Sequence, residues 1–154
     1  MKYSTEITVN VSREEFIKKL DNIDNIKHWH HGLVSAEHIS GTPGEIGAKM
    51  KLSYKFGKRE MELVETITKR DFPYEFHATY DAKGMHNKQE NFFEELADGK
   101  TQWTSTSEFE ASSFMLRMML FLMPSAFKKQ SKKYMEDFKK FAENGTSVSQ
   151  QQQN

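Results

Sequence analysis

From Leu33 to Trp103 the chain alternates apolar and polar residues with a period of two, and this limits the folds open to it. Ala48, Met50, Leu52, Tyr54 and Phe56 share one face of an extended segment, while Lys49, Lys51 and Lys55 take the other. Successive side chains of a strand point to opposite faces, so the run reads as a half-buried strand. Gly57 and Lys58 turn the chain into Met61, Leu63, Glu65 and Ile67, again on one face. The run FPYEFHATY after Asp71 groups Tyr74, Phe76, Ala78 and Tyr80. Residues 33–40 supply a further strand, closed by the turn GTPGEIG at residues 41–47. Strands separated by short turn signals pair as an antiparallel meander.

The last hairpin, NFFEELADGKTQW, carries its own register. The sequence ADG suits a three-residue loop, a type I turn closed by Gly99 in the left-handed conformation. Pairing Leu96 with Lys100 then sets Phe93 opposite Trp103, Asn91 opposite Ser105 and Gln89 opposite Ser107. A loop of two or four residues would instead place Phe92, Glu94 and Leu96 on the Trp103 face, because a slip by one residue inverts a strand.

The ends of the chain are different in texture. Residues 3–11 place Ile7, Val9 and Val11 on one face of a first strand. Ser12 followed by Glu15 makes a capping box for a helix bearing Phe16, Ile17 and Leu20. A second helical turn is expected over residues 21–27. Residues 112–144 favour helix, interrupted at Pro124, with Phe127, Tyr134, Phe138 and Phe141 as an apolar stripe and Lys128, Lys129, Lys132, Lys133, Lys139 and Lys140 opposite. A one-sided sheet needs such a helix over its apolar face. The fold class is therefore α+β: an antiparallel sheet of about seven strands covered by a long C-terminal helix, with two short helices between strands one and two.

A length of 154 residues suits one domain, and 36% hydrophobic with 12% aromatic residues suffices for a real core. The 22 basic residues balance the 22 acidic ones, so no overall field favours a polyanion and nucleic acid is not an expected partner. The chain has no cysteine, which excludes disulfides, thiolate metal sites and a cysteine nucleophile. The apolar stretch FMLRMMLFLMP stops at Pro124 after 11 residues, whereas crossing a bilayer takes about 20. The N-terminus lacks the apolar core of a secretory signal, so a cytoplasmic location is expected. Residues 145–154 contain Val148 as their one apolar side chain and are expected to form a disordered tail after a domain spanning 1–144.

In their order, ITVNVSREEF at the start, KHWHHGL with Trp29, GTPGEIGAKMKL, GKTQW and the closing FKKFAENG resemble the START-like helix-grip superfamily, also called SRPBCC. This superfamily includes polyketide cyclase/dehydrase and lipid-transport proteins, and the resemblance covers residues 1–144. It implies a deeply curved sheet gripping the C-terminal helix around a space for a hydrophobic ligand. It implies no particular reaction, since one fold serves many functions.

The inward positions, which are the candidate ligand contacts, are Met50, Leu52, Tyr54, Phe56, Leu63, Phe76, Tyr80, Phe93 and Trp103 on the sheet, with Met119, Met123 and Phe127 on the helix and Trp29 after the second helical turn. A dry core is the competing reading for each of them. Asn91 and Ser105, with Gln89 and Ser107, are expected as polar floor. Met115, Met118, Met119 and Met123 suggest a deformable mouth, and beside Lys128 the same stretch suits transient contact with an anionic membrane surface.

Glu65 is the candidate for chemistry, because it falls on the apolar face between Leu63 and Ile67. Burial would raise its pKa and suit it to a general base or a polar handle, unless a bulge turns it outward or a tyrosine such as Tyr54 makes it structural. The histidines of HWHH lack metal-ligand spacing and are expected in a solvent-facing loop anchored by Trp29. His77 is expected on the solvent face. No Walker or dinucleotide glycine pattern occurs, and no cofactor is expected. The function expected is binding or carriage of a small hydrophobic, lipid-like or polyketide-like molecule. The alternatives are a cyclase/dehydratase-type enzyme acting on such a ligand, and a protein-interaction module with a vestigial cavity using residues 114–127.

Overall fold

Ser12 decides where the first strand gives way to helix. Its hydroxyl accepts a hydrogen bond from the Glu15 amide at 3.2 Å, satisfying a donor at the helix start that has no partner within the helix. Strand β1 (Lys2–Val9) therefore ends two residues before the expected Val11, and α1 (Arg13–Leu20) begins with Phe16 fully buried. The Asn22 side chain caps a 3-10 turn (Ile23–Asn25) that runs directly into α2 (Ile26–Trp29). The computed structural model describes residues 1–151.

The meander follows as β2 (Leu33–Ser40), β3 (Lys49–Phe56), β4 (Arg59–Asp71), β5 (Glu75–Ala82), β6 (Met85–Glu95) and β7 (Thr101–Ala111). These strands and β1 form one open antiparallel sheet in the order β1-β7-β6-β5-β4-β3-β2. In the last hairpin the Leu96 amide donates to the Lys100 carbonyl at 2.8 Å and Gly99 has φ of 82°. Phe93 pairs with Trp103, Asn91 with Ser105 and Gln89 with Ser107, as the three-residue loop requires. A register shift between Ile67 and Lys69 brings Arg70, not Lys69, onto the face of Phe76. Tyr74 precedes β5 and is exposed, so it does not share that face.

The helical segment divides at Pro124 into α3 (Phe114–Leu122) and α4 (Pro124–Asn144). Proline supplies no amide donor and crowds the preceding turn, so a new helix starts with it. Helix α4 lies over the concave face. Phe138 meets Phe16, Trp29 and Trp103 with ring centroids 4.8, 5.3 and 5.5 Å away, and these rings join Val9, Phe93, Met135 and Ala142 in the main core. Nearer the start of α4, the Tyr3 hydroxyl donates to the Phe127 carbonyl at 3.0 Å. The architecture is the helix-grip fold that the sequence resemblance implied. None of the described helices is long and apolar enough to cross a membrane.

Past Gly145, which closes α4 at φ of 70°, the chain does not simply fray. Ser147 and Val148 are buried, the Ser147 hydroxyl lies 2.8 Å from His28 Nδ1, and α5 (Val148–Gln151) follows. A distant histidine provides the anchor that local composition could not reveal. The rest of the expected tail, residues 152–154, lies outside the described residues.

A candidate ligand site on the concave face

Two halves of the concave face differ in chemistry. Toward β6 and β7 the face is closed: Phe93 and Trp103 are buried in the aromatic core, and the Trp103 indole N–H donates to Asn91 Oδ1 at 3.0 Å. Asn91 and Ser105 are buried beside them, and Leu52 is fully buried on β3. These positions lie inward as expected, but they are held by other protein groups.

Toward β3, β4 and β5 the same face carries Tyr54, Glu65 and Tyr80. Glu65 stands directly across the ladder from Tyr80 on one side and Met50 on the other. Burial is the largest influence on both Glu65 and Tyr80 and raises both pKa values, so the carboxyl holds its proton more tightly than usual. The tyrosine partner is Tyr80, not Tyr54. No bulge intervenes at Glu65, because the irregularity in β4 comes only after Ile67.

Tyr54 belongs to a second pair. Its hydroxyl lies 2.8 Å from His30 Nδ1, and the two rings stack with centroids 6.2 Å apart. Tyr134 of α4 packs on the other side of His30 at 5.2 Å. Burial pushes the His30 pKa down to about 3, so the imidazole is neutral at physiological pH, and the Tyr54 hydroxyl is pushed up by burial, then by Tyr134 and Glu65. Half-buried Met50, Phe56, Leu63 and Phe76 flank this group on the same face.

The HWHH segment thus departs from expectation. His30 turns inward to Tyr54, His28 stacks on Phe141 at 5.1 Å, and Trp29 is half-buried against Trp103 and Phe138 with its indole nitrogen unpartnered. Only His31 remains exposed. The short helix α2 rotates successive side chains by about 100°, which sends adjacent residues into different environments. No cluster of three His, Asp or Glu among the described residues could hold a metal. In the sequence His30 is one of the HWHH histidines expected to face solvent, and nothing in that segment itself sets it apart from His28 or His31.

Two helix positions and one strand position also change. Met119 and Met123 are 38% and 53% exposed, so α3 does not aim them into the grip. Phe127 is half-buried and packs on Phe109 at 5.1 Å. His77 does lie on the convex face, but it is buried there between Glu75, Glu90 and the Phe92 ring. Two surface clefts of about 410 and 370 Å³ lie elsewhere. One is lined by Arg13, Ile17, Phe72 and Glu95, the other by Lys51, Glu62 and Asp81, and neither is lined by His30, Tyr54, Glu65 or Tyr80.

No family model matches the chain, and no curated protein matches it. Solved structures do match it in fold. A conserved protein from Geobacillus kaustophilus superposes with a TM-score of 0.74 at 16% identity, covering 92% of this chain and 95% of that one. Ara h 8.0201 gives 0.71 at 13% identity, with 92% and 97% covered. A norcoclaurine synthase point mutant from Thalictrum flavum, in complex with a transition-state analogue, gives 0.69 at 12% identity, with 92% and 93% covered. At these identities the likeness is one of fold.

Proposed function

We propose that the protein binds a small, mainly apolar molecule in the grip between α4 and the β3–β5 half of the sheet. The observation that carries this reading is the state of Glu65, Tyr80, His30 and Tyr134. Each retains accessible surface, being half-buried by area, yet each is desolvated strongly enough to shift its pKa. Polar groups enclosed by protein but not covered by it are what a ligand space with a few convergent handles presents. The norcoclaurine synthase carries its transition-state analogue on the same fold, which makes a bound small molecule compatible with this architecture. Binding or carriage needs only these groups. Turnover would further require Glu65 or a cavity tyrosine to move a proton, and where Glu65 does so Glu65→Gln would abolish it.

Native mass spectrometry of the purified protein, followed by solvent extraction, tests the reading. A stoichiometric apolar adduct that is lost on denaturation supports it. A clean apo mass, with no thermal shift across a panel of lipids and polyketides, overturns it.

Helix α3 supports a second reading, contact with an anionic lipid surface. Phe114, Met115 and Phe121 are 79%, 80% and 79% exposed, and Leu122 and Met118 add to the same side. Such a continuous apolar patch is unusual on a monomeric protein. Residues 111–135 contain Arg117, Lys128, Lys129, Lys132 and Lys133 but no acidic residue, in a chain of zero net charge. Flotation with phosphatidylcholine vesicles, with and without phosphatidylglycerol, tests it. Binding that needs the anionic lipid and fades in Phe114→Ser/Phe121→Ser supports docking. Concentration-dependent dimers lost in the same variant would instead assign the patch to a second copy of the chain.

A further inference from the structure

Among the described residues, none supplies a counter-charge to Glu65. On the concave face its cross-strand neighbours are Met50 and Tyr80, and Leu63 and Ile67 flank it along β4. Tyr54 of β3 and Tyr80 of β5 are the titratable groups coupled to it. His30, the residue that ends α2, is kept neutral by burial. From α4 the ionisable groups on this side are Tyr134 and Asp137, and Lys133 already pairs with Asp137 at 3.0 Å. Among the described strand residues the cations on this face are Arg59, exposed at the start of β4 across from Phe56 and away from Glu65, and Arg70, beyond the register shift. Arg70 is spent on Asp21, with hydrogen bonds of 2.8 and 2.6 Å.

An enclosed acid with no basic partner is unfavourable for the empty protein, since its ionised form lacks compensation. It becomes favourable when the ligand supplies the charge. The surroundings suit that role, because Tyr54, Tyr80, Tyr134 and His30 are aromatic, and ring faces attract a desolvated cation. An anionic head such as a free fatty acid's would meet Glu65 with like charge and, among the described residues, find no free cation beside it.

We infer that the molecule held in the grip carries a cationic nitrogen, an ammonium or amidinium head on an apolar body, and that Glu65 pairs with this head. The inference rests on the proposed ligand space and specifies its chemistry. A head–carboxylate hydrogen bond is charge-assisted and worth more than a neutral one. It requires Glu65 ionised and the head protonated, so affinity falls as pH drops through the raised Glu65 pKa and falls again as the amine loses its proton.

The test compares n-octylamine, 1-octanol and octanoate as probes by isothermal titration, using the full chain, Glu65→Gln and Glu65→Asp. The amine is expected to bind the natural chain roughly tenfold to a hundredfold tighter than the alcohol, and octanoate weakest. Glu65→Gln, nearly isosteric and without the charge, should bring amine and alcohol to equal affinity and remove the acid-side pH dependence. Glu65→Asp should retain part of the amine preference. Equal binding of amine and alcohol by the natural chain, or an amine preference that survives Glu65→Gln, overturns the cationic head while leaving the ligand space standing. Failure of all three probes, with a folded protein confirmed by its thermal transition, counts against the ligand space itself.

Discussion

The His30 imidazole and the Tyr54 hydroxyl, 24 residues apart in sequence, meet at 2.8 Å and tie the turn after α2 to the middle of β3. Each is the other's polar partner within a largely apolar setting. His30→Ala or Tyr54→Phe should therefore each destabilise the fold by about 1–3 kcal/mol, the usual consequence of leaving a buried polar group unpaired. Chemical denaturation of both single variants and the double variant checks this. A double variant no less stable than either single one shows the coupling, and strict additivity removes it.

Acid should weaken the same element. Burial lowers the His30 pKa from 6.5 to about 3, so between these values the unfolded chain takes up a proton that the folded chain refuses. Stability contributed by neutral His30 is thus present above pH 6.5 and is lost as pH falls toward 3. Melting temperatures of the natural chain and of His30→Gln across this range test the assignment. The variant should show the shallower decline, and parallel curves would refute it.

Glu65 gives the opposite slope. Its pKa is raised above 4.5, so just above that pH the folded chain keeps a proton that the unfolded chain has released. Its contribution is complete below 4.5 and declines as pH rises through the folded value. Glu65→Gln should accordingly be more stable than the natural chain at neutral pH and lack this decline. A variant less stable at neutral pH would mean that the interaction of Glu65 with Tyr80 across the ladder outweighs desolvation.

Phe138 and Met119 were both inward-stripe or inward-contact candidates, but the fold separates them. Phe138 is fully buried among Phe16, Trp29 and Trp103, whereas Met119 is 38% exposed on α3. Phe138→Ala should cost about 3–5 kcal/mol through lost burial and the cavity left behind. Met119→Ala should stay within about 0.5 kcal/mol. Urea denaturation midpoints provide the comparison.

Gly32 and Gly99 both have positive φ, 81° and 82°, but only Gly32 is crowded. A Cβ at Gly32 would sit 2.5 Å from the Phe56 ring and 3.0 Å from the Lys55 carbonyl oxygen, while one at Gly99 meets nothing within 4 Å. Gly99→Ala should therefore cost about 1 kcal/mol from backbone strain alone. Gly32→Ala should cost roughly 2–3 kcal/mol and disturb the HWHH turn as well. Thermal denaturation of both variants distinguishes strain from crowding.

What the sequence determined by itself was local. Period-two runs set the strands and their faces, Ser12 set the start of α1, Pro124 divided the C-terminal helix, and ADG favoured the three-residue loop that pairs Phe93 with Trp103. In each case a few adjacent residues contain the whole cause: pleat geometry, a cap, a missing amide, a turn of defined length. Glu65 could be placed on its face for the same reason.

Partners and solvent were decided by tertiary structure. Whether Glu65 meets Tyr54 or Tyr80 depends on how β4 pairs with both neighbours, and whether HWHH faces water depends on Tyr54, Phe141 and Ser147, which arrive from three distant segments. Met119 and Met123 lie outside because the break at Pro124 allows α3 to leave the line of α4. Desolvation is set by everything that packs around a group, so the chemistry of this site appears only once the sheet has closed on its helix.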